Sequence, residues 1–521
     1  MGFITANRNQ IDLLGFSLND FVPHDTKCRF VVDLVSMLDL SQLYQKYSEQ
    51  GADAFDPSII LATWFFGYSE GIVKSRKLEN YCKRDLHFIY VSGNLRPDHT
   101  TLSRFRKANI ELVSEYFVQI VQLAIEKGLS DFTEISIDGS KIQASCSAKQ
   151  SRNSENLEKK LAVVRKEIDV YMTHCDIAEA EELPEDDLGN IKAKIKKLQK
   201  LEKRLDERFK QLNERKKELK PEYRKNHKIN LIEPDAPMMS GVNGKQKRPS
   251  YNTQVGADVK THFIVSNDVT QDRNDQKQFM KQYQKVESNL GKNPKRKYNL
   301  DSGYHSLKQL AFIRNRQIDA IVADPNPQNR SLKKLPTNKQ FLLKEGRQLQ
   351  KTDFVYHAKE NYYECPAGKK LMFTRRKRSQ KDDYLLYTCN NCDNCLLKKQ
   401  CHTKRNKSGN RNIRRDMLEV CAENMSQKLE TEYAKERLKN RATSVEPVFG
   451  NLKENLGFRR FLLRGLDSVK GEFNIMCIAH NINILYKLLS DKPYSKLKIA
   501  FEQKIDRFFS YLFNFSLKFN F

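Results

Sequence analysis

Tyr298-Asn299-Leu300-Asp301-Ser302-Gly303-Tyr304 is a short apolar run that stops at an aspartate and a Ser-Gly turn, the pattern of a β-strand delivering a carboxylate at its end. Working outward, Asp275 to Asn289 and Ser306 to Arg316 have helical periodicity on either side, and Ile318 to Val322 is a further strand. Upstream, Tyr251 to Val255 and Phe263 to Val265 pair as strands. Thr133 to Asp138 is a strand expected to end at a second aspartate, in Ile135-Ser136-Ile137-Asp138-Gly139-Ser140. The order is strand, strand, strand, helix, strand, helix, strand, and the class is α/β.

That order is ribonuclease H-like, with an insertion after the first strand. From Asn153 to about Lys220, Leu157, Leu161, Val164, Ile168 and Tyr171, then Ile191, Ile195, Leu198, Leu205, Phe209, Leu212 and Leu219, follow coiled-coil spacing around an acidic, proline-containing stretch, Glu181 to Asp187. They predict a helical hairpin serving as a spacer, a dimer contact, a DNA-backbone arm or a self-packed insertion. The expected organisation is a helical DNA-binding domain over 1–128, the first part of the catalytic domain over 129–150, the coiled-coil hairpin over 151–230 and the second catalytic part over 231–325. A basic, Cys-rich, zinc-ribbon-like insertion follows over 326–425, then the final catalytic part over 426–490 and a Phe/Lys-rich tail over 491–521.

Lys and Arg number 92 against 65 Asp and Glu, a formal charge of +27, which favours a polyanionic partner, nucleic acid first. No run approaches the ~20 apolar residues of a membrane span, and the N-terminus lacks a basic region followed by an apolar core, so a cytoplasmic, nucleoid-associated protein without membrane contact is expected. Eleven cysteines in that compartment argue against disulfides. Five of them, Cys365, Cys389, Cys392, Cys395 and Cys401, lie between the basic runs Arg375-Arg376-Lys377-Arg378 and Lys404-Arg405-Asn406-Lys407 or close by, at spacings suited to a structural, all-thiolate Zn²⁺ site. Five thiols compete for four places; Cys365, Cys392, Cys395 and Cys401 are the favoured set.

In the N-terminal segment, Phe55-Asp56-Pro57-Ser58 starts a helix dense enough in apolar residues to be buried, and Ser75-Arg76-Lys77-Leu78-Glu79 lies on a second. Pro97 and Asp98 start another, whose Arg96, Thr100, Ser103, Arg104, Arg106 and Lys107 suit phosphate and base-edge contacts or an ordinary solvated face.

The third carboxylate motif is Val445-Glu446-Pro447-Val448-Phe449-Gly450-Asn451-Leu452-Lys453. Asp138, Asp301 and Glu446 are the candidate ligands of a two-metal phosphoryl-transfer site, in which one ion activates the attacking oxygen and the other stabilises the leaving oxygen. Lys453 follows Glu446 by seven residues, predicting the same helical face, and Arg441 precedes it by five; both are candidate phosphate holders. Pro447 disfavours α conformation at Glu446, predicting a helix start or kink there.

Together these segments resemble the DDE transposases of bacterial insertion sequences, in the branch with a helical insertion after the first Asp and a Cys-rich insertion before the Glu. The resemblance covers roughly 10–490 and is strongest in Arg96 to Arg106, Ile137 to Ser140, Tyr251 to Gln254, Asp301 to His305 and Val445 to Arg464. It implies that Asp138, Asp301 and Glu446 are a catalytic triad binding Mg²⁺ or Mn²⁺, and that Lys453 is the family's lysine after the glutamate. Arg441, Arg459, Arg460 and Arg464 are further candidates for DNA contact. Related transposases carry Tyr-x2-Arg-x3-Glu-x6-Lys; here Lys439 and Ala442 hold the Tyr and Arg places, and Arg441 is one residue off register.

The resemblance implies an enzyme that binds double-stranded DNA at terminal inverted repeats, cleaves and transfers 3′ ends into target DNA, and works as at least a homodimer during synapsis. The alternatives are a non-catalytic DNA-binding protein derived from a transposase and a stand-alone nuclease. His480, in an apolar C-terminal helix, is expected to be a satisfied core histidine.

Overall fold

The computed structural model describes residues 2–6, 8–11, 15–47, 53–180, 184–219, 221–240, 247–325, 346, 348–378, 383–401 and 409–490. The expected C-terminal tail, and part of the hairpin turn, lie outside them.

Helices dominate the N-terminal part: α1 (Lys27–Ser36), α2 (Pro57–Ser69), α3 (Ser75–Arg84), α4 (His99–Ala108) and α5 (Val113–Glu126). Asp56 caps α2, accepting the Ser58 N–H at 2.9 Å with Pro57 in the first turn. Every residue from Ile59 to Ser69 on α2 is buried, because other helices surround it. At ~1.5–3 kcal/mol per fully buried large apolar side chain, Trp64, Phe65 and Phe66 make it a main anchor of this region.

The main strands of the six-stranded central sheet are β1 (Glu134–Gln143), β2 (Lys247–Asp258), β3 (Ile264–Thr270), β4 (Lys297–Leu300) and β5 (Asp319–Val322), with the short strand Met238–Ser240 pairing antiparallel to the start of β2. The order of the main strands is β5-β4-β1-β2-β3; β5, β4 and β1 are parallel, while β2 is antiparallel to both β1 and β3. Helices α8 (Phe279–Leu290) and α9 (Leu307–Asn315) connect the last three strands. The expected element order is therefore observed, with one correction. β1 does not end at Asp138; it continues to Gln143 because β2 is long enough to pair with it, Gln143 opposite Ser250, and because Phe461 N–H bonds Gln143 O at 2.8 Å.

Between β1 and β2, α6 (Ser154–Ala180) and α7 (Glu185–Lys217) form an antiparallel pair. Leu157, Leu161, Val164 and Ile168 on one helix and Leu198, Leu205 and Leu212 on the other share a small core of their own. Arg165 spans the pair to Glu202 (2.7 Å) and Asp206 (3.1 Å).

A second sheet, β6 (Val355–His357), β7 (Tyr362–Glu364), β8 (Lys370–Arg378), β9 (Asp383–Cys389) and β10 (Asn412–Asp416), is antiparallel throughout and also has a separate core. Helices α10 (Glu419–Lys428), α11 (Glu432–Gly450) and α12 (Leu466–Ser490) complete the chain. α12 packs on α2, α5 and β3, so the N-terminal helices and the central sheet share one continuous core. Within it Asn481 bonds both backbone groups of Ile264, on the sheet edge, at 2.9 and 2.8 Å. His480 is indeed satisfied, between Asn451 and the His262 carbonyl, and burial pushes its pKa down to about 4. Among the described residues no helix is long and apolar enough to cross a membrane.

Candidate active site

Parallel pairing sets Ile137 opposite Leu300, so the next rung brings Asp138 beside Asp301 on strands ~4.8 Å apart. Asp138 Oδ1 accepts its neighbour's N–H, from Gly139, at 2.7 Å; Asp301 Oδ1 accepts the Gly303 N–H at 3.0 Å in a tight turn over Ser302–Tyr304. Burial, then the Asp301 charge, raises the Asp138 carboxyl to about 7. Asp301 is raised too, first by burial, with Arg441 opposing and Asp275 adding. Two carboxylates that repel each other in a poorly solvated place are a chemical fit for a cation.

Asp275, between β3 and α8, is a third acid of this cluster and escaped the sequence reading. Its Oδ1 accepts from Asn252 Nδ2 at 2.7 Å and Gln254 Nε2 at 2.6 Å, and the Tyr304 hydroxyl donates to Gln254 Oε1. A Cβ on Gly139 would stand 2.6 Å from Asp275 Oδ1 and 2.2 Å from Gln254 Nε2, so close approach explains the glycine. The available signal was the polar alternation Asn252, Gln254 in a strand buried along most of its length, which calls for a polar partner.

Helix α11 is fastened across the parallel strands. Arg437, buried, donates from Nε to Asn299 Oδ1 (2.9 Å), from Nη1 to Asp319 Oδ1 (2.9 Å) and from Nη2 to Tyr298 O (3.0 Å), and Ser444 Oγ donates to Ser136 Oγ at 2.7 Å. Although burial opposes it, Lys428, Tyr433 and Arg437 together hold Asp319 at about 2. Arg441 lies one turn beyond Arg437 on that face, with Nη1 3.4 Å from Asp138 Oδ2 and Nη2 3.8 Å from Glu446 Oε1.

Glu446 departs from expectation in two respects. The helix runs without interruption through Pro447, so Glu446 is not at a helix start, and its side chain is 64% exposed rather than gathered with the two aspartates. Two residues past Ser444, it projects off the sheet-facing stripe, and Arg441 is its link to Asp138. Lys453 does not share the Glu446 face by α-helical counting, because Asn451–Asn455 is a π-helical turn that shifts the phase. The turn delivers Lys453 Nζ to Ser140 Oγ, two residues past Asp138, and burial lowers its pKa.

Of the expected DNA contacts, Arg96, Ser103, Arg104 and Lys107 are exposed and Thr100 half-buried at the start of α4, where Asp98 caps the helix through the Thr101 N–H at 2.7 Å. Arg106 is corrected: it is buried, its guanidinium 4.3 Å over the Trp64 ring, with Nη1 donating to the Tyr68 hydroxyl at 2.9 Å. It is on the inner face of α4, as Leu102 four residues earlier shows. Arg459 pairs with Glu454, whereas Arg460 and Arg464 donate to the Ala144 and Ser145 carbonyls at 3.1 and 3.0 Å, bracing the end of β1.

Cys365, Cys389, Cys392, Cys395 and Cys401 line one small cavity in the second sheet's core, Cys389 included. Burial raises the Cys389 and Cys401 thiols to about 11. Among the described residues no group of three or more His, Cys, Asp or Glu side chains is already set to hold a metal, either here or at the aspartates, and no cysteine is in a disulfide. The thiols converge as a donor set without being closed into ligand geometry.

Residues 364–486 match the family model described as "Transposase DDE domain", and residues 16–108 match the one described as "Transposase domain (DUF772)". The first covers the second sheet's last strands, Glu446 and α12; the other covers α1 to α4. No curated protein matches the chain. These two matches support a transposase. More closely, they support a DDE transposase of the insertion-sequence type, a family that in general carries nuclease and transferase activity on DNA with divalent metal ions.

Proposed function

We propose that the chain is an insertion-sequence transposase whose central sheet is a ribonuclease H-like catalytic domain, and that it binds terminal inverted repeats, hydrolyses DNA 3′ ends and joins them to target DNA. The observation that carries this reading is the adjacency of Asp138 and Asp301 under a helix bearing Glu446. Asp138, Asp301 and Glu446 would hold Mg²⁺ or Mn²⁺, which would supply Lewis-acid activation of the attacking and leaving oxygens. Asp275, fixed by Asn252 and Gln254, adds negative charge beside that pair and steers it toward cation binding. Arg441 offsets the charge of Asp138 and Glu446, and Lys453 at Ser140 is a cation placed to hold a phosphate beside the acids. The thiol-lined cavity is the proposed structural Zn²⁺ site, and the working form is cytoplasmic and at least dimeric.

The test is Mg²⁺-dependent nicking of a labelled duplex carrying the element's own end, with intact protein and with Asp301→Asn. Nicking by the first and not the second is expected. Binding without nicking by either protein would favour the non-catalytic DNA-binding reading; equal nicking by both would refute the site.

A further inference from the structure

The basic run 375–378 has no part in the site above, and its placement is informative. One face of the second sheet is occupied by its own core, with Tyr363, Leu371, Tyr387 and Ile413 buried. The register fixes what lies on the other. Tyr362, Met372, Thr388 and Asn412 form one row across it; Arg375, Leu386 and Arg414 form the next; Lys377, Tyr384 and Asp416 form the third. A bulge between Phe373 and Arg375 makes this possible, because uninterrupted alternation from Met372 would turn Arg375 toward the core.

This outer face is cationic and carries aromatic rings beneath the charges. Lys370, Arg375, Lys377 and Arg414 are exposed, and among the described residues none of them has a carboxylate within ion-pair distance. Lys370 Nζ lies 4.6 Å from the Tyr362 ring, which stacks on His357 at 4.5 Å; Arg414 lies 5.0 Å over Tyr384. The two acids on the face are already engaged, Glu364 with His357 Nε2 at 2.9 Å and Asp416 with the Leu418 N–H at 2.8 Å. Arg376, by contrast, points to the other side and is neutralised by Asp383 through two bonds of 2.8 and 2.6 Å. From Lys370 to Lys377 the cations span ~23 Å, and Arg375 and Arg414 are two strand spacings, ~10 Å, apart. A row and a cross-row of exposed cations with no carboxylate partner among the described residues complement a polyanionic rod.

We propose that this outer sheet face is a duplex-DNA contact surface, engaging phosphates without reading sequence. The proposal rests on the DNA-directed reading above and adds a second place of contact, remote from α4 and from the aspartates in sequence.

The experiment measures affinity of the full-length protein for terminal-repeat duplex and for random duplex of equal length across a salt series, with Arg375→Ala/Lys377→Ala/Arg414→Ala as the test variant. Each lost phosphate contact lowers the slope of log K against log salt by ~0.9, so a drop of about 2–3 is expected, equal for both duplexes, with affinity down about 10- to 100-fold. Arg376→Ala, on the same strand but the opposite face, should leave the slope within about 0.5 of wild type, and Arg375→Lys/Arg414→Lys should preserve it. A triple variant that keeps wild-type slope and affinity overturns the proposal. So does a triple variant that loses only binding to phosphatidylglycerol vesicles, which would make the face a membrane contact. Absence of DNA binding by wild type would instead remove the DNA-directed reading itself.

Discussion

Replacing Asp138 with Asn should stabilise the metal-free protein, and should do so only above about pH 4, where the aspartate is charged in the unfolded chain. Asp138 is held at about 7 by burial and by Asp301, against an ordinary carboxyl value near 4. Because the folded value is the higher one, the unfolded chain releases this proton first. Stability therefore falls as pH rises between about 4 and 7 and is level outside that window. Fully developed, the penalty is about 4 kcal/mol, an upper figure because the side chain relaxes and Arg441 shares its charge. Urea unfolding in EDTA, comparing wild type with Asp138→Asn at pH 4 and pH 8, cancels the titrating groups that do not interact with Asp138. The expected difference is near zero at pH 4 and about 2–4 kcal/mol in favour of Asn at pH 8. Millimolar Mg²⁺ should raise wild-type stability at pH 8 and leave the Asn variant nearly unchanged. A gap between the two proteins that is the same at both pH values would refute the argument that charge at this position strains the fold.

Further outcomes follow from other contacts. Arg437→Ala should cost about 3 kcal/mol in urea unfolding, since it leaves Asn299 and Asp319 short of a buried cation. Arg106→Ala should lower the thermal midpoint while leaving the salt slope of DNA binding unchanged, whereas Arg104→Ala on the exposed face should reduce that slope by about 1. Gly139→Ala should displace the Gln254 amide and abolish Mg²⁺-dependent nicking without unfolding the chain, as circular dichroism would report. Cys392→Ser should release protein-bound Zn²⁺ measured by atomic absorption and destabilise the second sheet; a preparation of wild type with no Zn²⁺ would refute that site.

What could be read from the sequence follows the physics of each element. Asp301 announced itself because an apolar run and a Ser-Gly turn are local signals. Its partnership with Asp138 needed only the right strand order, since parallel register then makes them neighbours. Asp275 was opaque because its role arises from Asn252 and Gln254, on a strand that meets it only after the sheet forms. Arg106 looked like its exposed neighbours by composition, and only the packing of Trp64 and Tyr68 reveals which side of α4 it occupies. The Lys453 position depended on a π-helical turn that no residue pattern marks, and β1 outran its expected end because its length is set by partners far along the chain. In the thiol cluster, spacing indicated convergence, but choosing four from five depends on backbone paths.

The shared packing of α12 with α2 and α5 also has a temporal side. Helix α2 leaves the ribosome roughly 400 residues before α12, which packs on it, a wait of about 20–80 s at ~5–20 residues per second. Until then an all-round apolar helix has no cover on one side. Premature termination or proteolysis ahead of residue 466 would thus yield an aggregation-prone remnant rather than a free-standing binding module.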